Sequence, residues 1–396
     1  MPEIVPLDLF SSVLPHMNPP NDSKTPLRVL HLIPGSDAGG MTRYVFDLSF
    51  AMQAKGHKVA VAGQKGSWHW LFETSPVPWI DAPMKVGPLT SRKSASILNH
   101  WIDNNPVDLL HVHDRRCAMV GRQIQKKHPV PMLCTLHTSS VLLSWPWSYF
   151  TDFGDHTHVA SKEAREWLVN HAKVPQALIS VLPHGVDPLR FPVANEITKA
   201  AAKEAIGLKP DDLVAAYVGR MDSPKNEAWM VDLAAAARER LPKLKVVMVG
   251  EGPNEKSLRR KIRRQNLDDR VVLLGFRDPM PIYHAADALL LPSRREGFSL
   301  VCAEAMSTGI PVLRTRTAGT DALVVENATG KSVAINHQEF ISGAIEFLSD
   351  PQALKRMGQL AAKHVHTHFS FDRQLHDTID MYRSLVKLQG NSQPQS

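Results

Sequence analysis

Short apolar runs alternate with longer amphipathic stretches along most of this 396-residue chain. Runs that are rich in Val, Leu and Ile and that lack polar alternation predict strands buried on both faces of a parallel sheet. The first half contains RVLHLI (28–33), HKVAVAG (57–63), DLLHVH (108–113), PMLCTLH (131–137) and HTHVAS (156–161). The second half contains LVAAYVG (213–219), KVVMVG (245–250), RVVLLG (270–275), DALLLP (287–292) and IPVLRT (310–315). Because helical stretches separate the runs, the pattern predicts two doubly wound α/β domains.

Length also favours two domains, since one domain typically holds roughly 100 to 200 residues. A proline-punctuated stretch begins near residue 187 and separates the two series of runs. We therefore expect an N-terminal domain over 27–187, a C-terminal domain over 188–371, and a last helix over 372–390 that either follows the second domain or packs back on the first. Residues 1–26 are proline-rich and lack a basic segment followed by an apolar core, so a disordered extension is expected rather than a signal peptide.

Composition and charge narrow the class of protein. Hydrophobic residues make up 43% and charged residues 21%, as in soluble globular proteins. Three cysteines without paired spacing predict neither a disulfide framework nor a thiolate zinc site, and a cytoplasmic location is expected. A net charge of +7 suits an anionic small molecule, an acidic membrane surface or nucleic acid. The densest basic run, EKSLRRKIRRQ at 255–265, is interpreted as a solvated helix face.

The stretch EGFSLVCAE places two carboxylates around a loop that leads into a helix. Ser299 is the expected N-cap, and the amides of 299–301 at the positive helix end can bind phosphate oxygens. Gly297 allows close backbone approach. Glu296 precedes this anion site, and Glu304 lies roughly 7 to 8 Å further along the helix. Such a pair suits hydroxyl groups at either end of a diphosphate. A glutamate that caps the helix and a glutamate on its surface would have the same spacing.

The extended segment EGFSLVCAEAMSTGIPV closely resembles the E-x7-E motif of the family 4 retaining glycosyltransferases, also described as glycosyl transferases group 1. That family has the GT-B fold, in which two Rossmann-like domains face each other across a cleft. Other segments resemble the family in the same order, over about 28–385: AGGMTRYVFDLSFAMQAKGHKVAV, VLPHGVDPLRF, AYVGRMDSPKN, VVMVGEGPNEKSL and VVLLGFRDPMPIYHAADALLLPS. The resemblance implies an α/β GT-B fold here.

The resemblance also implies roles for individual residues. Glu296 would contact the hydroxyls of a donor sugar and Glu304 the ribose. Arg220 and Lys225 would clamp the diphosphate, which agrees with their physics, since two cations just after a strand can neutralise charge on a departing diphosphate. His137 ends a strand at the position where the family often has a histidine beside the donor sugar.

The remaining implied donor contacts come from three turns. Gly39 and Gly40 precede a helix and permit close approach to the sugar and phosphate. The turn after RVVLL would hold the base, although Arg277 is equally consistent with a solvent-facing side chain. The implied donor-binding set is Gly39, Gly40, Gly275, Phe276, Arg277, Gly297, Phe298, Ser299, Leu300, Val301 and Glu304.

The sequence departs from the family pattern at two positions and also contains a candidate metal-binding group. The turn after IPVLRT has Ala322 where the family often has Glu, with Asp321 beside it, and Ser299 replaces a frequent glycine. His111 and His113 lie on the same face of a predicted strand, and Asp114 follows directly, so the three residues are a candidate metal site. The Arg220 and Lys225 pair makes a divalent cation unnecessary, so we expect no metal and no cofactor.

These features predict a retaining hexosyltransferase that uses a UDP- or GDP-sugar and a saccharide or lipid-linked acceptor. A nucleotide-sugar epimerase and a non-catalytic sugar-nucleotide binding protein remain alternatives. The aromatic patches SWHWLF (67–72) and SWPWSYF (144–150) suit sugar stacking, a membrane interface or ordinary packing. Peripheral contact with the anionic inner face of a membrane stays open, and no nucleic acid is expected.

Overall fold

A computed structural model describes residues 25–84, 87–145, 148 and 151–392 of the chain. The expected disordered extension over 1–26 thus falls almost entirely outside the described residues, as does part of the aromatic patch 144–150. The described chain divides into two compact units. The first runs to Pro183 and includes the residues from Asp372 onward, and the second is His184–Phe371.

Each unit is built on one parallel sheet. The first unit contains strands β1 (Arg28–Gly35), β2 (Lys58–Gln64), β3 (Trp79–Asp81), β4 (Leu109–Val112), β5 (Met132–Leu136), β6 (His156–Val159) and β7 (Ile179–Val181). The second contains β8 (Leu213–Val218), β9 (Leu244–Val249), β10 (Val271–Leu273), β11 (Ala288–Leu291), β12 (Val312–Thr315) and β13 (Gly330–Val333). The strand orders are β3-β2-β1-β4-β5-β6-β7 and β10-β9-β8-β11-β12-β13.

Helices connect the strands in both units. The first five are α1 (Gly40–Ala54), α2 (Trp70–Glu73), α3 (Pro88–Asn104), α4 (Arg115–Gln125) and α5 (Lys162–Asn170). The second unit contains α6 (Glu196–Ala205), α7 (Ala228–Ala236), α8 (Glu255–Arg264), α9 (Met280–Ala285), α10 (Leu300–Ser307), α11 (Thr320–Leu323), α12 (His337–Leu348) and α13 (Pro351–His368). The last helix is α14 (Phe371–Ser392).

All ten strands predicted from apolar runs are confirmed, and their buried residues form the core. Strand β11, for example, is buried at all four positions. The structure adds β3, β7 and β13, which are short strands at sheet edges. Only one residue of each is buried, so none has the continuous apolar run that marks a central strand.

The interpretation of the basic run as a solvated helix face is confirmed. Helix α8 buries Leu258 and Ile262 against the second unit. Its exposed basic residues are Lys256, Arg259, Arg260, Arg263 and Arg264. The helix is therefore held by a narrow apolar stripe while its charges stay in solvent.

Helices α10 and α13 pack on each other at the end of the second sheet. Their close approach is centred on Gly358, which is buried in α13. A β-carbon at this position would overlap the carbonyl oxygen of Gly309 and lie 3.3 Å from Cδ of Pro311. Both of these atoms belong to the turn that joins α10 to β12, so the overlap could be relieved only by moving a helix or that turn.

We therefore expect Gly358→Ala to destabilise the protein by about 1 to 3 kcal/mol, the usual cost of overpacking. The sign is diagnostic, because a Gly→Ala change inside an unconstrained helix is stabilising by about 1 kcal/mol. Urea unfolding measures the difference. Gln359→Ala, at the exposed neighbouring position, is the control and should change stability by less than about 0.5 kcal/mol. An alanine variant at 358 as stable as wild type would contradict this packing.

Candidate functional site

Four loops that follow strands of the second sheet are joined to one another at the carboxyl edge. Because all strands of the sheet are parallel, the loops after β8, β9, β10 and β11 leave it on the same side. Three backbone hydrogen bonds connect them: Met221 N to Glu251 O (3.0 Å), Gly250 N to Gly275 O (2.9 Å) and Arg294 N to Pro224 O (2.8 Å). The loops form one supported surface, and most of the residues proposed to bind a donor belong to it.

Lys225 and Glu296 form an ion pair on this surface. The Nζ of Lys225 donates to Oε1 of Glu296 at 2.7 Å, and the two side chains are 25% and 10% exposed. Lys225 closes a short 3-10 turn, and the next residue, Asn226, donates its side-chain amide to Pro292 O at 2.8 Å. That bond ties the turn to the end of β11. The sequence pattern assigned the two residues separate roles, whereas the structure brings them into direct contact.

Arg220 begins the same loop and has an exposed side chain. Tyr217 is buried and donates its hydroxyl to the carbonyl oxygen of Arg220 at 2.8 Å, so the backbone at this position is held. The guanidinium is 64% exposed and lies 3.3 Å from Asp222. A weak contact of this kind leaves the charge accessible to an anion.

Glu304 lies on α10 and is oriented by a tyrosine. The hydroxyl of Tyr283 donates to Oε2 of Glu304 at 2.8 Å. Burial, together with the nearby charge of Glu304, raises the pKa of Tyr283 well above its usual value, so the phenol stays a donor. Tyr283 was missed in the sequence analysis. It is a buried tyrosine in a short helix, and such a tyrosine usually requires a hydrogen-bond partner.

The start of α10 differs in one respect from the expectation. Ser299 is its N-cap residue, but the serine side chain forms no capping hydrogen bond, so the expected hydroxyl cap is wrong. The backbone of Ser299 has φ +69°, a left-handed conformation that glycine adopts without strain. Leu300 and Val301 follow as the first residues of the helix, and their amides point out of its N-terminal end.

Phe298 lies in the core rather than at the surface. Its side chain is 2% exposed, and its ring packs against His184 and Phe369 at centroid distances of 5.7 and 5.3 Å. Any donor contact by Phe298 must therefore use its backbone. Gly297, which precedes it, is partly exposed.

The turn after β10 presents an exposed ring. Gly275 has φ +67°, and Phe276 after it is 48% exposed. Arg277 folds back so that Nη2 and Nε donate to Leu274 O at 2.9 and 3.2 Å. An exposed phenyl ring beside a glycine can stack on a flat heterocycle.

In the first unit, Gly39 and Gly40 begin α1. Gly39 is the N-cap residue, and a β-carbon there would have no neighbouring atom within 4 Å.

The aromatic segment 67–72 contributes to packing. Leu71 and Phe72 are buried, and the centroid of the Phe72 ring lies 4.9 Å from that of Trp79. In the second aromatic patch, Trp145 is 87% exposed.

His137 belongs to a line of three imidazoles in the first unit. Nδ1 of His31 lies 2.9 Å from Nε2 of His113, and Nδ1 of His113 lies 3.0 Å from Nε2 of His137. Burial lowers the pKa of both His31 and His137 to about 3, so they are neutral near pH 7. No motif in the sequence pointed to His31, because its side chain reaches His113 only when β1 and β4 pair in the folded sheet.

The hydrogen bonds of this line restrict its protons. Each nitrogen–nitrogen contact holds one proton, so three neutral rings leave one more, either on Nε2 of His31 or on Nδ1 of His137. Nε2 of His31 is buried and has no hydrogen-bond partner. A buried N–H without a partner is rarer than an unpaired acceptor. The network therefore favours the tautomer of His137 with its proton on Nδ1.

A second hydrogen-bonded chain lies beside the first and includes helix α14, with the His111 and His113 ring centroids 4.0 Å apart. His111 lies 2.6 Å from the hydroxyl of Tyr382 and 2.6 Å from Oγ1 of Thr135, which in turn lies 2.9 Å from Nδ1 of His158. Burial and neighbouring imidazoles lower the pKa of His111 and His113 well below the usual value, and burial lowers that of His158 to about 4.

The same histidines are the group best placed to hold a metal ion. Donor atoms of His31, His111 and His113 lie within 4.8 Å of one another. Asp114, which the sequence placed with His111 and His113, instead accepts from Arg116 N and caps α4. Both ring nitrogens of His111 and of His113 already form hydrogen bonds, so an ion would have to break them. The geometry favours a hydrogen-bonded network.

The five hydrogen-bonded histidines His31, His111, His113, His137 and His158 predict that the folded protein is sensitive to acid. Their pKa values are lower in the folded protein than the usual 6.5. At a pH between the folded-state pKa and 6.5, the unfolded chain binds more protons than the folded protein. The free energy of unfolding is therefore highest above pH 6.5 and falls as the pH decreases. Each histidine adds a slope of up to about 1.4 kcal/mol per pH unit.

Urea unfolding between pH 7.5 and 5.0 checks this expectation. His158→Asn should flatten the slope, whereas His376→Asn, which replaces a side chain 73% exposed, should leave it unchanged. A free energy of unfolding that is constant over this range would show that the histidines are not held neutral.

Two family models match the chain. Glycosyltransferase Family 4 matches residues 38–190, and Glycosyl transferases group 1 matches residues 198–364. The chain belongs to the family 4 glycosyltransferases and is a transferase enzyme. The resemblance inferred from the E-x7-E motif is confirmed.

The chain matches curated glycosyltransferases along most of their length. The chain is 28% identical to the UDP-Gal:alpha-D-GlcNAc-diphosphoundecaprenol alpha-1,3-galactosyltransferase of Escherichia coli over 76% of this chain and 81% of the relative. It is 27% identical to the D-inositol 3-phosphate glycosyltransferase of Nocardia farcinica over 89% and 86% of the two chains.

Solved structures support the fold. A glycosyltransferase from Rickettsia africae superimposes with a TM-score of 0.80 at 17% identity, covering 92% of this chain and all of that one. HepE of Anabaena in complex with UDP-glucose superimposes with a TM-score of 0.79 at 19% identity, covering 90% of this chain and all of that one. With two parallel α/β units, the chain has the GT-B fold, as expected. Within the described residues, no helix combines the length and apolar character that a membrane span requires.

Proposed function

We propose that this glycosyltransferase moves a hexosyl group from a UDP- or GDP-sugar to a saccharide or lipid-linked acceptor with retention of configuration. The observation that carries the proposal is the convergence of Arg220, the Lys225–Glu296 pair and the N-terminus of α10 on one edge of the second sheet. Two cations and free helix amides favour a diphosphate, and the carboxylate beside them favours sugar hydroxyls.

The ion pair explains how one small region serves two parts of a donor. Lys225 engages Oε1 of Glu296, and a carboxylate accepts about four hydrogen bonds, so Glu296 keeps capacity for sugar hydroxyls. Lys225 in turn retains two N–H groups for phosphate oxygens. The pair thus marks the junction between diphosphate and sugar.

The other end of the donor is assigned to Glu304 and the turn at 275–277. Tyr283 occupies Oε2 of Glu304 and holds the carboxylate in place for ribose hydroxyls. Gly275, Phe276 and Arg277 would contact the base, with the exposed Phe276 ring as the stacking surface. In the first unit, we assign sugar binding to His137, Gly39 and Gly40.

In the proposed reaction, the leaving diphosphate acts as the base. The acceptor oxygen bonds to the anomeric carbon on the face from which the sugar–phosphate bond breaks, and its proton passes to a leaving phosphate oxygen. Arg220, Lys225 and the amides at Ser299, Leu300 and Val301 stabilise the charge that develops there. In this mechanism no protein carboxylate needs to act as nucleophile.

We further propose that residues 27–187 form the acceptor domain and residues 188–371 the donor domain, with the helix over 372–390 completing the former. The name of the Escherichia coli relative contains a UDP-sugar and a lipid-linked diphosphate acceptor, which supports testing such molecules first. A lipid-linked acceptor would bring the enzyme to a membrane surface, where its net charge of +7 favours anionic lipids.

The test of the proposed function is release of nucleoside diphosphate from UDP- and GDP-sugars with and without a saccharide or lipid-diphosphate acceptor. We expect release to require acceptor and the product to retain the anomeric configuration, as read by NMR. Conversion of the donor sugar without acceptor would instead identify an epimerase. Donor binding without turnover across the acceptor panel would identify a binding protein.

The two glutamates should differ in what they recognise. Glu304→Ala should weaken binding of UDP and of the UDP-sugar alike by about 10-fold or more, because hydrogen bonds to a charged group contribute about 1.5 to 3 kcal/mol. Glu296→Ala should weaken only the UDP-sugar. Calorimetric titration measures both ligands, and Glu239→Ala, at an exposed position, is the control. Equal losses for both ligands in both variants would contradict this division of roles.

Arg220 and Lys225 should act mainly on the chemical step. We expect Arg220→Ala and Lys225→Ala each to lower kcat by about tenfold to a hundredfold or more, with smaller changes in donor affinity, because leaving-group charge is greatest in the transition state. The double variant should lose less than the product of the single losses, since both act on one group.

Transfer kinetics with saturating donor provide the measurement. Arg240→Ala, an exposed arginine after α7, should leave kcat unchanged. Near wild-type kcat in both single variants would exclude the proposed clamp.

A further inference from the structure

Arg314 on β12 is a fully buried cation. Its side chain is 0% exposed and is among the largest fully buried side chains of the described residues. Arginine is almost never fully buried unless it is paired, because transfer of a charge out of water is costly. A buried arginine in a strand core therefore requires an explanation.

The protein compensates the charge only in part. Nη2 donates to Oγ1 of Thr317 at 2.7 Å and to the carbonyl oxygen of Ala318 at 3.2 Å. Nε and Nη1 have no hydrogen-bond partner. Both acceptors are neutral, and among the described carboxylates none forms an ion pair with Arg314. The guanidinium thus retains an unbalanced positive charge and unused donors.

The position of Arg314 links it to the start of α10. The loop that accepts its hydrogen bonds continues to Gly319, where a β-carbon would lie 2.7 Å from the carbonyl oxygen of Gly297. Burial raises the pKa of Cys302 on α10, and the charge of Arg314 opposes that effect, so the guanidinium lies near the first turn of the helix. The loop that Arg314 holds therefore lies against Gly297 and Phe298, the residues that lead into the helix end assigned to the diphosphate.

We propose that Arg314 is a buried third cation of the donor site, which strengthens binding of a nucleoside diphosphate through its electric field rather than by contact. This inference rests on the proposed function. Charges in the protein interior are screened much less than surface charges, so an unpaired cation can act over a few ångströms on an anion at the helix terminus. An apolar side chain of similar size would be at least as stable in the absence of ligand.

A purely structural role makes a different prediction. The two hydrogen bonds of Nη2 hold the loop at 317–318 against Gly297, and their loss would disturb the whole site. Binding of uridine, which has no phosphate, would then fall together with that of UDP. The comparison of the charged and uncharged ligands separates the two roles.

The experiment compares wild type, Arg314→Met and Arg314→Lys in the full-length chain. Calorimetric titration measures Kd for UDP and uridine, or for GDP and guanosine if GDP binds wild type better, and thermal unfolding measures Tm without ligand. We expect Arg314→Met to weaken the diphosphate by at least about tenfold, or about 1.4 kcal/mol, and to change nucleoside binding by less than twofold. Its Tm without ligand should equal or exceed that of wild type.

Arg314→Lys keeps the charge but not the guanidinium geometry, so it should retain most of the affinity for the diphosphate. Arg316→Met is the matched control, because Arg316 is exposed and paired with Asp321, and it should bind like wild type. Equal loss of diphosphate and nucleoside, a lower Tm for Arg314→Met, or a loss in Arg314→Lys as large as in Arg314→Met would overturn the inference.

The inference and the proposed function fail in different ways. If wild type binds the diphosphate and transfers sugar while Arg314→Met binds it equally well, only the role of Arg314 is wrong. If wild type binds neither UDP nor GDP, both are wrong.

Discussion

The candidate donor site depends on one constraint, the parallel direction of every strand in the second sheet. Parallel pairing brings the ends of β8, β9, β10 and β11 to the same edge, and backbone hydrogen bonds between their loops turn four separate connections into one surface. Arg220, Lys225, Glu296 and the helix amides are positioned by this edge. If one strand ran in the opposite direction, its loop would leave from the other side and the constellation would not form.

The proposed donor site has positive charges in three different environments. The Arg220 guanidinium is exposed, Lys225 is half-buried and paired with Glu296, and Arg314 is buried without a counter-charge. Solvent screens the first most and the last least. An anion bound here would therefore be attracted by cations that solvent screens to different extents. In the proposal above, Arg314, the most buried of them, favours the bound anion at a cost to the stability of the ligand-free protein.

The polar cluster of the first unit differs from the cationic site of the second unit, because its histidines are uncharged. Burial keeps His31, His113 and His137 neutral, and mutual hydrogen bonds restrict their tautomers. His137 thus has a fixed ring orientation and a favoured Nδ1 proton. Such an imidazole is suited to orient a neutral hydroxyl rather than to stabilise an anion.

The apolar runs predicted ten of the strands and the two α/β units, and the E-x7-E segment predicted the family. They did so because buried strands and loop–helix junctions are encoded within a few residues. The edge strands β3, β7 and β13 were not predicted, because each is only three or four residues long and lies outside the apolar runs. Only the tertiary structure brought Lys225 to Glu296 across 71 positions, Tyr283 to Glu304, and His31 to His113. It alone showed that Arg314 is unpaired, because burial and pairing are properties of neighbours that the chain supplies from distant positions.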